Sequence, residues 1–438
     1  MFKKIENIFS VPELRKRILF TLALLIVYRI GTHVPTPGIN SDALQQFFAQ
    51  QSGNILGMVD MFTGGALSRL TVFGLGIMPY ISASIILQLL TVVVPHLAEL
   101  KKQGSEGQEK ITKYTRYGTV GISAVQGLGI AIGLEAMSSP TGSAVVMFPG
   151  WGFRLVTALT LTTGTLFLMW LGERITEKGI GNGISLIIFA GIVARFPAAV
   201  ANTFRMMQTG ELQIITLIVV LAIILGVTAA IVYVEISSRR LPIQYVRKAG
   251  AGTRGGNVSN SYLPLKLNPA NVIPIIFAAS IMSFPSTLST FSQNSIFAQI
   301  GVWFSPSSPV YYIMYVVLIV FFTYFYTSII FNPDDVADNI QKSGGVIPGK
   351  RPGKATADFI DYVLSRLTFI GALYLSVLAI LPQFIISWFN VPFYFGGTSL
   401  LIVIGVGLDL IQRIESHLIT HNYDGFLKRG KVKRGGFA

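Results

Sequence analysis

Few residues in this chain have the types and spacing that chemistry would need. Gly344-Gly-Val-Ile-Pro-Gly-Lys350 comes within one position of a phosphate-cradling loop. That pattern, G-x-x-x-x-G-K-S/T, surrounds phosphate oxygens with backbone amides and a lysine while a hydroxyl holds Mg2+. Here Arg351 stands at the hydroxyl position and Pro352 follows where a helix must begin. No strand pattern precedes it, so a Gly/Pro-rich loop tip is the better reading. His417 and His421 are four residues apart, a spacing that suits zinc on a helix face. No acidic residue completes H-E-x-x-H between them and they sit in a basic tail, which points to solvated histidines. The chain has no cysteine, so disulfides, thiolate catalysis and Cys-based metal sites are excluded. No nucleophile–base pattern occurs, so neither catalysis nor a metal or other cofactor is expected.

The elements that must position any site are membrane helices. Of 438 residues, 51% are hydrophobic and 12% charged, against roughly 25% charged in a soluble domain. Ile215–Val234 and Val310–Phe331 carry no charge over 20 and 22 residues. Hydropathy predicts ten spans, near 16–34, 73–94, 115–136, 152–172, 184–201, 213–234, 271–290, 310–331, 367–388 and 395–412. The basic N-terminus followed by Ile18–Val34 resembles a signal peptide, but the run ends in HVPTPG without a small-residue cleavage site. It reads as a retained first span.

Ten spans put both termini on one side. Segments 1–17, 95–116, 172–183, 235–270, 332–366 and 412–438 hold 29 of the 34 Lys and Arg residues. Arg29, Arg69, Arg154, Arg195 and Arg205 remain, at span ends or in the opposite loops. Basic residues are retained on the cytoplasmic side, so both termini are expected there. The net charge of +14 is thereby spread over several cytoplasmic loops.

One stretch does not fit a simple span. Ile55–Val72 is too short and too polar to cross, holding Asp60, Arg69 and the Gly64-Gly65 pair. Backbone that stops at membrane depth must be buried in protein or line a cavity. The sequence therefore predicts a half-helix folded back into a cavity of the protein. Few ionisable residues lie deep in the spans; Arg29 and Asp409 stand near span ends, where snorkelling or packing is the plain reading. No span centre carries an acidic group, which argues against an ion-coupled solute carrier. A non-conducting membrane scaffold would explain the basic loops but not a buried half-helix.

Gly129 and Gly133 form a G-x-x-x-G in the third span, a signature of close helix packing that would equally suit helices that must part. Pro79-Tyr-Ile-Ser-Ala-Ser84 is echoed by Pro274-Ile-Ile-Phe-Ala-Ala279, a weak sign of two inverted five-span halves. Segment 236–270 has six basic and no acidic residues, whereas 332–366 mixes five basic residues with five aspartates. Both are long for connections between helices. Topology and headgroup attraction account for most basic loops; the competing reading for one as long as 236–270 and without acidic residues is a grip on RNA phosphates or an acidic protein surface.

Seven motifs then stand in order: Tyr28-Arg-Ile-Gly-Thr-His-Val-Pro-Thr-Pro-Gly38, Phe62-Thr-Gly-Gly-Ala-Leu-Ser-Arg69, Gly76-Ile-Met-Pro-Tyr-Ile-Ser-Ala-Ser84, Gly179-Ile-Gly-Asn-Gly-Ile184, Leu263-Pro-Leu-Lys266, Arg351-Pro-Gly353 and Val391-Pro-Phe-Tyr-Phe-Gly-Gly397. Together they resemble the SecY family, channel subunits of the bacterial protein translocon, over about residues 5–430. The resemblance implies an all-α polytopic membrane protein with ten transmembrane helices in two inverted five-helix halves and a re-entrant plug half-helix. The halves would be 1–201 and 213–412, followed by a basic tail, 413–438.

By position, the resemblance places an aliphatic pore ring at Ile77, Ile81, Ile184, Ile188, Ile276 and Ile402. It places the plug at about 56–67, with Leu56, Gly57, Met58, Asp60, Met61, Phe62, Gly64, Gly65 and Leu67. Ser82 and Phe284 would face a lateral gate that releases membrane segments into lipid. Arg239, Arg240, Arg247, Lys248 and Arg351 would dock the motor ATPase SecA or the ribosome. Further implied partners are the SecE and SecG subunits, signal sequences and nascent polypeptides, in the cell inner membrane. The implied activity is passive passage of unfolded secretory polypeptides, with no enzymatic step.

Overall fold

A computed structural model describes residues 11–50, 60, 63–135, 144–210, 213–245, 259–291, 303, 308–389 and 397–432. Among them, ten helices lie on the ten expected spans: α1 (Pro12–Gly31), α3 (Met78–Val93), α5 (Ser105–Glu135), α6 (Trp151–Lys178), α7 (Gly183–Gln208), α8 (Ile214–Ile236), α9 (Ile273–Phe291), α10 (Pro309–Ile330), α12 (Lys354–Phe389) and α13 (Gly397–Val432). Three more connect them: α2 (Ser41–Gln50), α4 (Pro95–Lys102) and α11 (Pro333–Lys342). Among the described residues six helices, α5, α6, α7, α8, α10 and α12, are long and apolar enough to cross a bilayer. The bent pair α3–α4 brings that number to seven if it is taken as one span.

That pair corrects the expected second span, 73–94. The helix begins only at Met78, because Phe73–Ile77 form turns and Gly76 takes a left-handed φ of 58°. It turns by 99° between Val93 and Pro95. Proline has no N–H to donate and pushes the preceding residue out of the helical region; Val94 accordingly sits extended at φ −95°, ψ 113°.

The half-helix expected at 55–72 is also corrected where it can be seen. Asp60 is helical, but Thr63–Ile77 run as a succession of turns. Residues 51–59, 61 and 62 lie outside the described residues.

The chain divides into two compact units, Met1–Asn202 with Ser283–Pro306 and Ile402–Ala438, and Thr203–Met282 with Ser307–Leu401. In the first, Leu67, Leu70 and Leu75 of the turn segment are buried with Ile39 and Leu44, Ile130 and Leu134 of α5, and Phe153 and Leu161 of α6. Main chain without helical hydrogen bonds is tolerated there because protein surrounds it. The close approach of α5 and α6 comes at Gly127, where a Cβ would stand 3.1 Å from Ala158 Cα.

The second unit holds an element that the helical reading lacked. Strands β1 (Ser238–Tyr245), β2 (Ser259–Lys266) and β3 (Gly345–Val346) form an antiparallel sheet in the order β2-β1-β3. It joins the two long basic loops. Leu241, Ile243 and Leu265 are buried with Ile340 of α11 and Ile360, Val363 and Leu367 of α12. Alternation of apolar and polar side chains, period two, puts one face of β1 into that core.

Candidate plug, pore and docking surfaces

The first two sequence motifs prove to be one physical unit. The Tyr28 hydroxyl donates to the Thr63 carbonyl at 3.3 Å, and Arg29 Nη1 donates to the Gly64 carbonyl at 3.2 Å. Farther on, the Thr36 amide donates to the Leu70 carbonyl at 2.9 Å and the Val72 amide to the Val34 carbonyl at 3.0 Å. Tyr28 stacks on Phe73, Phe73 on Phe167 of α6, and Phe167 on Trp170, at centroid distances of 6.2, 5.9 and 5.7 Å. Arg29 is therefore occupied by the turn segment rather than snorkelling.

Gly64 and Gly65 adopt φ of 69° and 87°, a left-handed backbone open to glycine without a Cβ penalty. A Cβ on Gly64 would stand only 2.9 Å from the Cα of Gly191 on α7. The pair is thus explained by a tight turn against a neighbouring helix.

Asp60 is 2% exposed, and its carboxylate is fully engaged. Oδ2 accepts from Arg195 Nη2 at 2.6 Å, and Oδ1 accepts from the Ser68 amide at 2.8 Å. Its carbonyl accepts from the Gly65 amide at 2.9 Å and the Thr63 hydroxyl at 3.0 Å. Sequence reasoning named Asp60 but not Arg195, which counted only among the arginines left outside the basic loops. A signal existed: a charge within an apolar helix requires a partner, and an acidic residue stood unexplained in the segment 55–72.

Of the other residues expected in a plug, Leu67 is buried and Leu56, Gly57, Met58, Met61 and Phe62 lie outside the described residues. Ile77 caps the N-terminus of α3, and the Ile81 amide donates to its carbonyl at 3.1 Å. Both are buried, as are Ile188 on α7 and Ile402 on α13. Ile184 is half-buried with Cγ1 beside Gly172 of α6, and Ile276, half-buried on α9, belongs to the second unit. Ser82 is half-buried on α3; the side chain of Phe284 lies outside the described residues.

Arg239 and Arg240 project exposed from β1, and Arg351 is exposed in the turn before α12. Arg247 and Lys248 lie outside the described residues. The loop that approaches a phosphate-binding pattern contains β3, and Lys350 extends over the Phe359 ring at 5.1 Å. Among the described residues no group of three or more His, Asp or Glu could hold a metal ion.

A SecY family model matches residues 71–411. The protein translocase subunit SecY of Aquifex aeolicus is 48% identical over 431 residues, covering 98% of this chain and 100% of the relative. Its counterpart from Escherichia coli strain K12 is 46% identical, covering 98% and 97%. A solved structure concerned with the SecY plug domain and the membrane seal has a TM-score of 0.65 at 18% identity, with 92% of each chain covered. Sec61 in a canine ribosome-channel complex has a TM-score of 0.58 at 16% identity, again with 92% of each chain covered. A helical membrane fold, a buried turn segment pinned between α1 and α7, and likeness over nearly the whole length agree: the chain belongs to the SecY family.

Proposed function

We propose that this multi-pass membrane protein is a protein-conducting channel, passing unfolded secretory polypeptides across the membrane and membrane segments sideways into lipid. One observation carries the reading. Non-helical main chain from Thr63 onward is mostly buried inside a helical membrane unit and leads, through Ile77, directly into the helix that bears Ile81. A segment held by hydrogen bonds beside an apolar constriction suits a seal that is displaced and reset. The relatives' description as translocase subunits and the likeness to a solved SecY channel with a plug support it. The family is one of translocation channels rather than enzymes, and no residue is assigned a catalytic role.

In this reading residues 56–67 are the plug, and Ile77, Ile81, Ile184, Ile188, Ile276 and Ile402 form the ring. An apolar ring blocks ions by dewetting yet yields to a polypeptide. Ser82 and Phe284 line the lateral gate between two inverted halves, 1–201 and 213–412. Arg239, Arg240, Arg247, Lys248 and Arg351 receive SecA or the ribosome, while SecE and SecG complete the complex. The distribution of basic residues supports an inner-membrane protein with both termini in the cytoplasm. The Asp60–Arg195 pair does not favour a coupled carrier, because the carboxylate is already satisfied within the fold.

The test is reconstitution in liposomes with SecE, SecG, SecA and a secretory precursor. ATP-dependent protection of the precursor from protease is expected; its absence in a demonstrably folded complex would sink the channel reading.

A further inference from the structure

Arg195 occupies a particular place on α7. Ile184, Ile188, Gly191 and Arg195 follow one another at intervals of four, three and four residues, which is one face of a helix. That face carries two isoleucines of the proposed ring, then the glycine against which Gly64 is packed, then the arginine that holds Asp60. The two charges are unequally placed. Asp60 has 3% of its side chain exposed and Arg195 has 36%. Arg195 lies partly at the surface of the fold whether or not the pair is made, whereas Asp60 stays buried unless the segment that carries it moves away.

We infer that Arg195 is a positioning residue for the seal: its bond to Asp60 holds the plug segment in its seat and ties that seat to the helix bearing Ile184 and Ile188. The inference rests on the plug reading above and adds its restraint. A buried carboxylate deprived of its cation is unfavourable, and among the described residues the Ser68 amide alone remains to satisfy it. The seated state is therefore weakened by the loss of Arg195, whereas the unseated state, with Asp60 in water, is not. A displacement of α7 that carries the isoleucines also carries the anchor, so ring and seat respond together.

The experiment measures resting ion conductance in planar bilayers, using the full chain with its partner subunits. The variants are Arg195→Gln, Arg195→Lys, the exchange Asp60→Arg with Arg195→Asp, and a deletion of residues 57–67. Arg195→Gln is expected to leak toward the level of the deletion. Arg195→Lys keeps a donor and a charge for the single bond to Oδ2, so it stays near the parent, and the exchange returns part of the seal. A tight Arg195→Gln beside a leaking deletion overturns the latch and leaves the plug reading standing. A deletion that does not leak overturns the plug reading itself. Should Arg195→Gln fail to assemble, the other two substitutions decide: both sealed supports the latch, and both leaking assigns Arg195 a packing role only.

Discussion

Two stretches of non-helical main chain interrupt this helical protein, and they are held in opposite ways. The turns from Thr63 onward are fixed by hydrogen bonds from Tyr28 and Arg29, by glycine conformation, and by the ion pair of Asp60 just before them. The sheet β1-β2-β3 is fixed by a ladder of strand pairing and an apolar core shared with α11 and α12. Hydrogen bonds exchanged for water contribute a net of only about 0.5–1.5 kcal/mol each. Buried aliphatic surface has no such substitute in water. Contacts of the first kind suit a part that is released and reseated; those of the second suit a platform that stays put. Apolar burial joins contacts of the first kind after Gly65, where Ala66, Leu67, Leu70 and Leu75 are 0%, 6%, 1% and 7% exposed.

The largest effect that tests this contrast lies in the platform. Ile360, 0% exposed in the sheet's core, is expected to cost about 2–5 kcal/mol on replacement by alanine, from lost burial and the cavity left behind. Thermal unfolding of the purified complex measures it. Resting conductance should stay at the parent level, because nothing in the plug seat is touched. A leak from Ile360→Ala would break the separation between platform and seal.

Much of this architecture could be read from the residues. Apolar runs marked where ten helices lie among the described residues, six of them long and apolar enough to cross a bilayer, and the polar anomaly at Asp60, Gly64 and Gly65 marked unusual buried backbone. Three features escaped, each for a physical reason. The turns at 73–77 look apolar in a hydropathy window, and neither that window nor the polar stretch before it discloses that Gly76 and Leu70 adopt positive φ. The sheet was hidden because Leu241-Pro-Ile243 and Leu263-Pro-Leu265 are brief alternating runs containing proline, a residue that weakens a strand assignment. Arg195 was missed because its partner is 135 positions away, so spacing was silent and only the matching of two unexplained opposite charges pointed to it. The isoleucines proposed as a ring had no signature of their own, since isoleucine is ordinary in any membrane helix.

A smaller effect is expected at Tyr28→Phe. The aromatic stack on Phe73 survives, and only the 3.3 Å bond to the Thr63 carbonyl is lost. A bond of that length belongs at the low end of the range of about 0.5–1.5 kcal/mol. Unfolding temperature should scarcely change while resting conductance rises, the reverse of the Ile360 variant. A fall in stability matching Ile360→Ala without a leak would place Tyr28 with the permanent core and erase the distinction.

The smallest structural effect is expected at exposed charges of the sheet. Arg239 and Arg240 take part in the sheet through their backbones, opposite Leu265 and Pro264, while their side chains reach solvent. Replacing both with alanine leaves the ladder and the apolar face of β1 in place, and surface changes of this kind rarely alter stability. Binding is where they should register. Contacts with phosphates or acidic side chains weaken as salt rises, and each lost cation reduces that dependence. The double variant should therefore bind ribosomes or SecA more weakly at low salt and show a shallower decline between low and high salt, with unfolding unchanged. Unaltered binding, with Arg351→Ala equally silent, would move docking off the sheet. A lowered unfolding temperature would instead mean that the arginines help hold the platform, so that its charged surface and its apolar core are not separable after all.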